Sequence, residues 1–338
     1  MKLAWGCSSE RYQPEALLEQ AVQAEHAGFD AVFVSDAFHP WVDEDSASGF
    51  VWTWLGAAAA RTSHIELVTT VTAPLFRYHP AVIAQAAATV DRMSEGRFVL
   101  GVGTGDAIND APLGAQRIKY RERAARLREA VDIIHRLWAG EQVTLDGAYY
   151  RTDRARLFSP PTGPMRMWMG AAGPKSARLA AEVAEGIVSS VRDTEITLTE
   201  VLAPYRQASD GNGTVALTRW TILAHDEQEA WRALGSMRGL RVPGRKEAVD
   251  PATLRHTADS MPRAEVLARY PIAADDEGLV GLYRPLVEDL AADYVSVQVM
   301  STDPAATIRM LGEKVLPALR SIAAQGSEMG EGLSGSIS

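Results

Sequence analysis

This 338-residue chain contains a single cysteine, Cys7. No internal disulfide framework can hold it together, and a reducing cytoplasm is the expected setting. Cys7 lies beside the first predicted strand and reads as a small buried side chain rather than a nucleophile. No run approaches the roughly 18 apolar residues of a transmembrane helix. Met1-Lys2-Leu3-Ala4-Trp5 starts a strand directly, without the basic n-region and long apolar core of a signal peptide. An excess of positive charge is missing too. The 34 Lys and Arg stand against 43 Asp and Glu, a formal net charge of −9, which disfavours nucleic acid and anionic membrane as partners. His135 and His225 are isolated, at no metal-ligand spacing, so no metal site is expected. The length and a hydrophobic content of 46% suffice for a sizeable core in one large domain or two of ordinary size.

What is present is an alternation of short apolar runs with longer helix-like segments. The runs Leu3–Gly6, Ala31–Ser35, Ile65–Val71, Phe98–Gly103, Met167–Gly170, Gly186–Ser190, Thr218–Ala224 and Tyr294–Val299 read as strands. Between them, Pro14–Ala27 puts Leu17, Leu18, Ala21 and Ala24 on one face, and Pro80–Met93 and Arg121–Trp138 behave alike. Pro14 and Pro80 suit a first helical turn. Continuously apolar strands separated by helices call for a parallel sheet covered on both sides. Eight of them favour a (β/α)8 barrel over an open doubly wound sheet. A single domain over residues 1–325 is expected. Residues 142–158 form a hairpin insertion turning at Asp146-Gly147, and residues 236–276 form a polar, charged excursion over one barrel mouth. The Gly- and Ser-rich tail, 326–338, is expected to be disordered.

The most informative stretch is Phe98 to Asp110. A buried strand breaks into Gly103-Thr104-Gly105, followed by Asp106, Asn109 and Asp110. Glycine lets backbone approach a ligand closely or take positive φ, and barrel ligands gather at the carboxyl ends of strands. Neighbouring strand ends agree. The second runs into Ser35-Asp36-Ala37-Phe38-His39-Pro40-Trp41, the third into Thr69-Thr70-Val71-Thr72, and the fifth into Gly170-Ala171-Ala172-Gly173-Pro174-Lys175-Ser176. The last precedes a helix and can offer free N–H groups to an anion such as phosphate; an ordinary Gly-Pro turn is the plainer reading. Asp43-Glu44-Asp45 reads as a solvated loop.

Three of these motifs carry a resemblance. They are Ser35-Asp36-x-Phe38-His39-Pro40-Trp41, Phe76-Arg77-Tyr78-His79-Pro80-Ala81-Val82-Ile83-Ala84-Gln85, and Gly101 to Asn109. Together they resemble the luciferase-like flavin and deazaflavin superfamily, within it the coenzyme F420-dependent glucose-6-phosphate dehydrogenase group, with FMN as the alternative cofactor. The resemblance covers residues 3–190 well and the rest loosely. It implies a dimeric TIM barrel of the luciferase-like type with the deazaflavin at the strand carboxyl ends. By position, Asp36, Thr104, Gly105 and Asn109 would meet the cofactor ring and its ribityl chain. Ala172, Gly173, Lys175 and Ser176 would meet its phosphate tail, and Thr70-Val71 would form a non-prolyl cis peptide against the ring.

The departures matter as much. The group's catalytic histidine falls on Ala37, and an alanine cannot be a general base. His39, two residues on, is the nearest substitute. The group's glutamate is Asp106, one methylene shorter, and Trp41 matches a substrate-facing tryptophan. Of the sugar-phosphate contacts, Ser190 keeps a hydroxyl, while the lysines fall near Arg192-Asp193 and His256. The expectation is therefore an F420-dependent oxidoreductase moving a hydride between the deazaflavin and a small polar substrate. A sugar or cyclitol, which could bear an amine, is favoured over glucose 6-phosphate. A sugar-6-phosphate dehydrogenase using another base, an FMN-dependent monooxygenase and a non-catalytic cofactor-binding relative are the alternatives.

Overall fold

The fold is seen in a computed structural model that describes residues 1–334, with side chains to Gln325. Eight parallel strands close into a barrel: β1 (Lys2–Cys7), β2 (Ala31–Val34), β3 (Glu66–Thr69), β4 (Phe98–Val102), β5 (Arg166–Gly170), β6 (Gly186–Ser190), β7 (Thr214–Leu223) and β8 (Tyr294–Met300). Each pairs with the next in sequence, and β8 returns to β1 from Lys2↔Tyr294 to Trp5↔Val297. All eight expected strands are present. β7 begins four residues before its expected start, because Thr214–Leu217 already pairs with β6 from Gly186↔Thr214.

Every strand sends at least one side chain into the barrel. Ala4, Phe33, Val68, Val99, Trp168, Val188, Ala216 and Tyr294 form a dry plug. Trp168 meets Tyr294 edge-on at 4.7 Å and Phe33 at 6.1 Å, arrangements that suit aromatic quadrupoles. Below the plug, the first residues of four strands make one polar knot. Glu66 takes Lys2 at 3.0 Å, Arg166 at 2.8 Å and the Tyr294 hydroxyl at 2.8 Å. Between strands and helices runs the main core, including Leu3, Trp5, Val32, Leu67, Leu100 and Ile134.

The first insertion is the expected hairpin, Val143–Asp146 against Arg151–Ala155. The excursion differs in character from its sequence. Behind its charges, Met237, Val242, Leu254, Val266 and Tyr270 build a second core that also takes in Trp41 and Ile108. It contains helices Pro251–Ser260 and Arg263–Leu267. Asp43-Glu44 is likewise no freely solvated loop. Asp43 pairs with Arg255 at 2.6 Å, and Glu44 pairs with Arg238 at 3.1 Å and Arg255 at 3.3 Å. These pairs clasp the loop after β2 to the excursion. The last helix, Leu316–Ser334, enters the segment for which disorder was expected; Glu328, Met329, Glu331 and Leu333 are capable helix formers there. Residues 335–338 of that tail lie outside the described residues.

Candidate active site

The ends of β2, β3, β4 and β5 converge on Val71. Its peptide bond to Thr70 is cis, as the resemblance implied, and its side chain lies in a space that glycines leave open. A Cβ on Gly103 would meet Val71 Cγ2 at 2.5 Å, and one on Gly170 would meet Val71 Cγ1 at 3.2 Å. Gly103, just after β4, thus makes room for a neighbouring side chain, where the sequence pointed to a ligand. Gly105 does take positive φ, +78°, and its carbonyl accepts from Arg123 at 3.1 Å.

Asp36 braces this convergence. Its carboxylate accepts from Thr72 Oγ1 at 2.8 Å, Arg77 Nη1 at 2.8 Å and the Tyr78 hydroxyl at 3.0 Å. Burial pushes the group upward, and the Arg77 charge with the bonds from Thr72 and Tyr78 offsets that only in part. Asn109 ties the next rim in place, its Oδ1 accepting from the Phe38 and His39 N–H groups at 2.7 and 3.2 Å. The amide nitrogen of Asn109 is left without a protein partner among the described residues. Thr104 is half-buried.

Asp106 lies farther out on the mouth. Arg245, from the excursion, pairs with it at 2.9 Å and stacks on the Trp41 ring at 5.0 Å. Asp106 and Trp41 therefore share one arginine. Trp41 is 9% exposed, with Gly239 pressed against its backbone carbonyl. His39 is tied through its N–H to Asn109, its ring lies 5.2 Å from Phe38, and its Nδ1 is buried without a partner. Ala37 is 4% exposed, closing the position where the resemblance expects a base.

On the β5 side, Gly173 precedes the helix Pro174–Val183, with open space where a Cβ would stand. Ser176 Oγ accepts from the Ala172 N–H at 3.1 Å and donates to the Gly173 carbonyl at 2.9 Å. Lys175 is exposed and without an ion pair among the described residues. The helix start with its lysine fits the anionic tail of a cofactor. Thr104 and the Asn109 amide offer polar groups to a ring and its hydroxylated chain.

The expected substrate contacts are less gathered. Ser190 and Arg192 are exposed at the end of β6. His256 is exposed too, with Nδ1 2.7 Å from the Ala252 carbonyl one turn back on its own helix. Arg192 does stand near Arg241, whose guanidinium is buried over the Tyr270 ring at 4.5 Å. Burial lowers Arg241 to about 10, and repulsion by Arg192 and Arg219 adds to that.

Several residues of the mouth escaped the sequence reading. Arg77 and Tyr78 stood inside a quoted motif but received no role. Glu10, 6% exposed, accepts from Ser8 at 3.2 Å and from Ser35; burial raises it despite those bonds. Arg245 lies 139 residues from Asp106 in a stretch with no local signature.

The chain matches the family described as luciferase-like monooxygenase over residues 1–292. It is 35% identical over 340 residues to an F420-dependent glucose-6-phosphate dehydrogenase of Nakamurella multipartita, covering 96% of this chain and 98% of the relative. A protein of the same description from Microbacterium testaceum is 35% identical over 337 residues, covering 95% and 98%. Among solved structures, an F420-dependent secondary alcohol dehydrogenase in complex with an F420-acetone adduct superposes with a TM-score of 0.87 at 27% identity, covering 94% and 98%. A coenzyme F420-dependent tetrahydromethanopterin reductase from Methanopyrus kandleri has the same fold, with a TM-score of 0.76 at 20% identity over 94% and 99%.

Proposed function

The chain belongs to the luciferase-like monooxygenase family, and from that premise we propose that it is a coenzyme F420-dependent oxidoreductase acting on a small polar substrate. The observation that carries this reading is the meeting of four strand ends at Val71, Asp36 and Asn109, beside an open glycine at a helix start. The F420-dependent names of the most similar relatives support the deazaflavin over FMN.

F420, when bound, supplies a deazaflavin ring that accepts or gives a hydride. Thr104, Gly105 and Asn109, with the Thr70–Val71 turn, would hold the ring and its chain. Ala172, Gly173, Lys175 and Ser176 would hold the phosphate-bearing tail. Asp36 keeps the turn rigid through Thr72, Arg77 and Tyr78. Asp106 is the group placed to hold or move a proton at the substrate, with its charge balanced by Arg245. Trp41 walls the substrate side, and the excursion shields it from water.

The substrate we favour is a sugar or cyclitol other than glucose 6-phosphate. Ser190 and His256 present no converging phosphate grip, and Ala37 in place of the expected base leaves proton transfer to Asp106. The same reading takes residues 1–325 as one domain with two insertions, assembled as a homodimer in a reducing cytoplasm. Light scattering of the purified protein tests the assembly.

Titrating the protein in parallel with F420 and with FMN, and following ring fluorescence, tests the cofactor. Micromolar binding of F420, and weaker binding of FMN, is expected. Preference for FMN together with oxygen consumption would replace this reading by a monooxygenase.

A further inference from the structure

Above the aromatic plug, the inner face of the barrel divides into two unlike halves. On one side, Gly103 and Gly170 leave room for Val71. The opposite side, β7 and β8, is polar and aromatic. Successive residues of a strand alternate between faces. Ala216 and Tyr294 belong to the plug, whereas Leu217, Val295 and Val297 belong to the core outside the barrel. Thr218, Trp220, Ser296 and Gln298 therefore point inward. They also stand side by side, Ser296 in register with Thr218 and Gln298 with Trp220. Gly6 of β1 places Gln298 independently, since a Cβ there would strike Gln298 Cγ.

None of these four side chains makes a hydrogen bond to a described residue. Ser296 Oγ and Gln298 Oε1 are buried as well as unpartnered. Ser296 is fully enclosed, but Gln298 keeps 7% exposure and Trp220 is half-buried, so both reach open space at the mouth. A buried amide with no partner costs stability, and an apolar side chain in its place would avoid that cost. Such an amide is explained by a ligand that completes its bonds. Gln offers both an acceptor and two donors. Trp offers a broad apolar face and one N–H. Trp220 is held by the second core beneath the excursion, which fixes that face beside the amide. Neither group carries charge.

We propose that Trp220 and Gln298 form a subsite for a neutral, ring-shaped polyol. The carbon face of the ring lies on Trp220, and two neighbouring hydroxyls share the Gln298 amide, one donating to Oε1 and the other accepting from Nε2. In an eight-stranded ring β7 and β8 stand across from β3 and β4, so the subsite faces Val71, against which the proposed function sets the cofactor. The inference deepens that reading by naming what selects the substrate. Its link to hydride transfer rests on that reading; recognition of the polyol does not.

Calorimetric titration with myo-inositol, D-glucose and cyclohexanol, in the free protein and with F420 added, tests the subsite. All three have a six-membered ring, and only the first two carry neighbouring hydroxyls. The wild type is expected to bind at least one polyol, and to bind cyclohexanol about tenfold more weakly. Gln298→Met, of the same length, should weaken the polyol by about tenfold and tighten cyclohexanol. Trp220→Ala should weaken both classes. The melting temperature of Gln298→Met should not fall, because an unpaired amide is removed; a fall would make that amide a structural group and overturn the proposal. Absence of polyol binding, a preference for cyclohexanol, or polyol binding that Gln298→Met leaves intact overturns it too. Failure of the wild type to bind F420 would strike the proposed function and leave the polyol titration standing.

Discussion

The two ends of the barrel use the same residue types and treat them oppositely. At the base, Glu66 is partly buried but meets Lys2, Arg166 and Tyr294, so burial pushing it up is outweighed and its carboxyl lies below the usual range. At the mouth, Asp36, Glu10 and Asp110 are buried with too little compensation, and all three lie above it. A base built this way anchors the fold. A mouth with acids raised toward neutrality is where barrels keep their chemistry.

The sharpest way to break that contrast is Asp106→Asn. Turnover with F420 should fall by about 10²–10⁴-fold, the scale of a lost proton-transfer group, while thermal unfolding stays near that of the wild type. A large loss of stability instead would make Asp106 an anchor like Glu66. Trp168→Ala probes the other end. Removing the ring that fills the plug between Phe33 and Tyr294 should cost about 3–5 kcal/mol in urea unfolding. F420 affinity of the folded fraction should not change.

Smaller effects sharpen the comparison through pH. Glu66→Gln should cost about 1–2 kcal/mol, since Lys2 and Arg166 both reach solvent and the pairs are partly screened. Because Glu66 is depressed, its contribution is present above the unfolded carboxylate range and is lost as pH falls through its folded value. Asp110 has the opposite sign. Its folded value of about 6 exceeds the unfolded one, so stability falls as pH rises from the unfolded value through about 6. Asp110→Asn should therefore raise the melting temperature by a few degrees at mildly alkaline pH, corresponding to about 1 kcal/mol, and by less in acid. A melting temperature that Asp110→Asn lowers equally at both pH values would show the two ends to be alike.

Much of the barrel was legible because its strands are continuously apolar and its helices amphipathic, two periods that local sequence records directly. The Asp146-Gly147 hairpin was legible for the same reason. The excursion was misjudged in character because its buried Met237, Leu254 and Tyr270 are scattered among charges, and their common core exists only once the chain has folded back. The role of Gly103 was half legible: a glycine marks a close approach, but the partner, Val71, is set by pairing between strands. Arg77 and Tyr78 were visible as a motif without a target, since Asp36 lies over 40 residues away. Arg245 could not be found locally at all.

The clasp of Asp43 and Glu44 to Arg238 and Arg255 has a consequence for conditions of use. Its acids are largely exposed, at 40% and 55%, whereas the arginines are mostly covered. Dissolved ions weaken contacts of that kind within a Debye length of about 8–10 Å. Brine should thus loosen the rim that carries Trp41 and leave the aromatic plug untouched, so ionic strength becomes a dial on entry to the cleft rather than on survival of the fold.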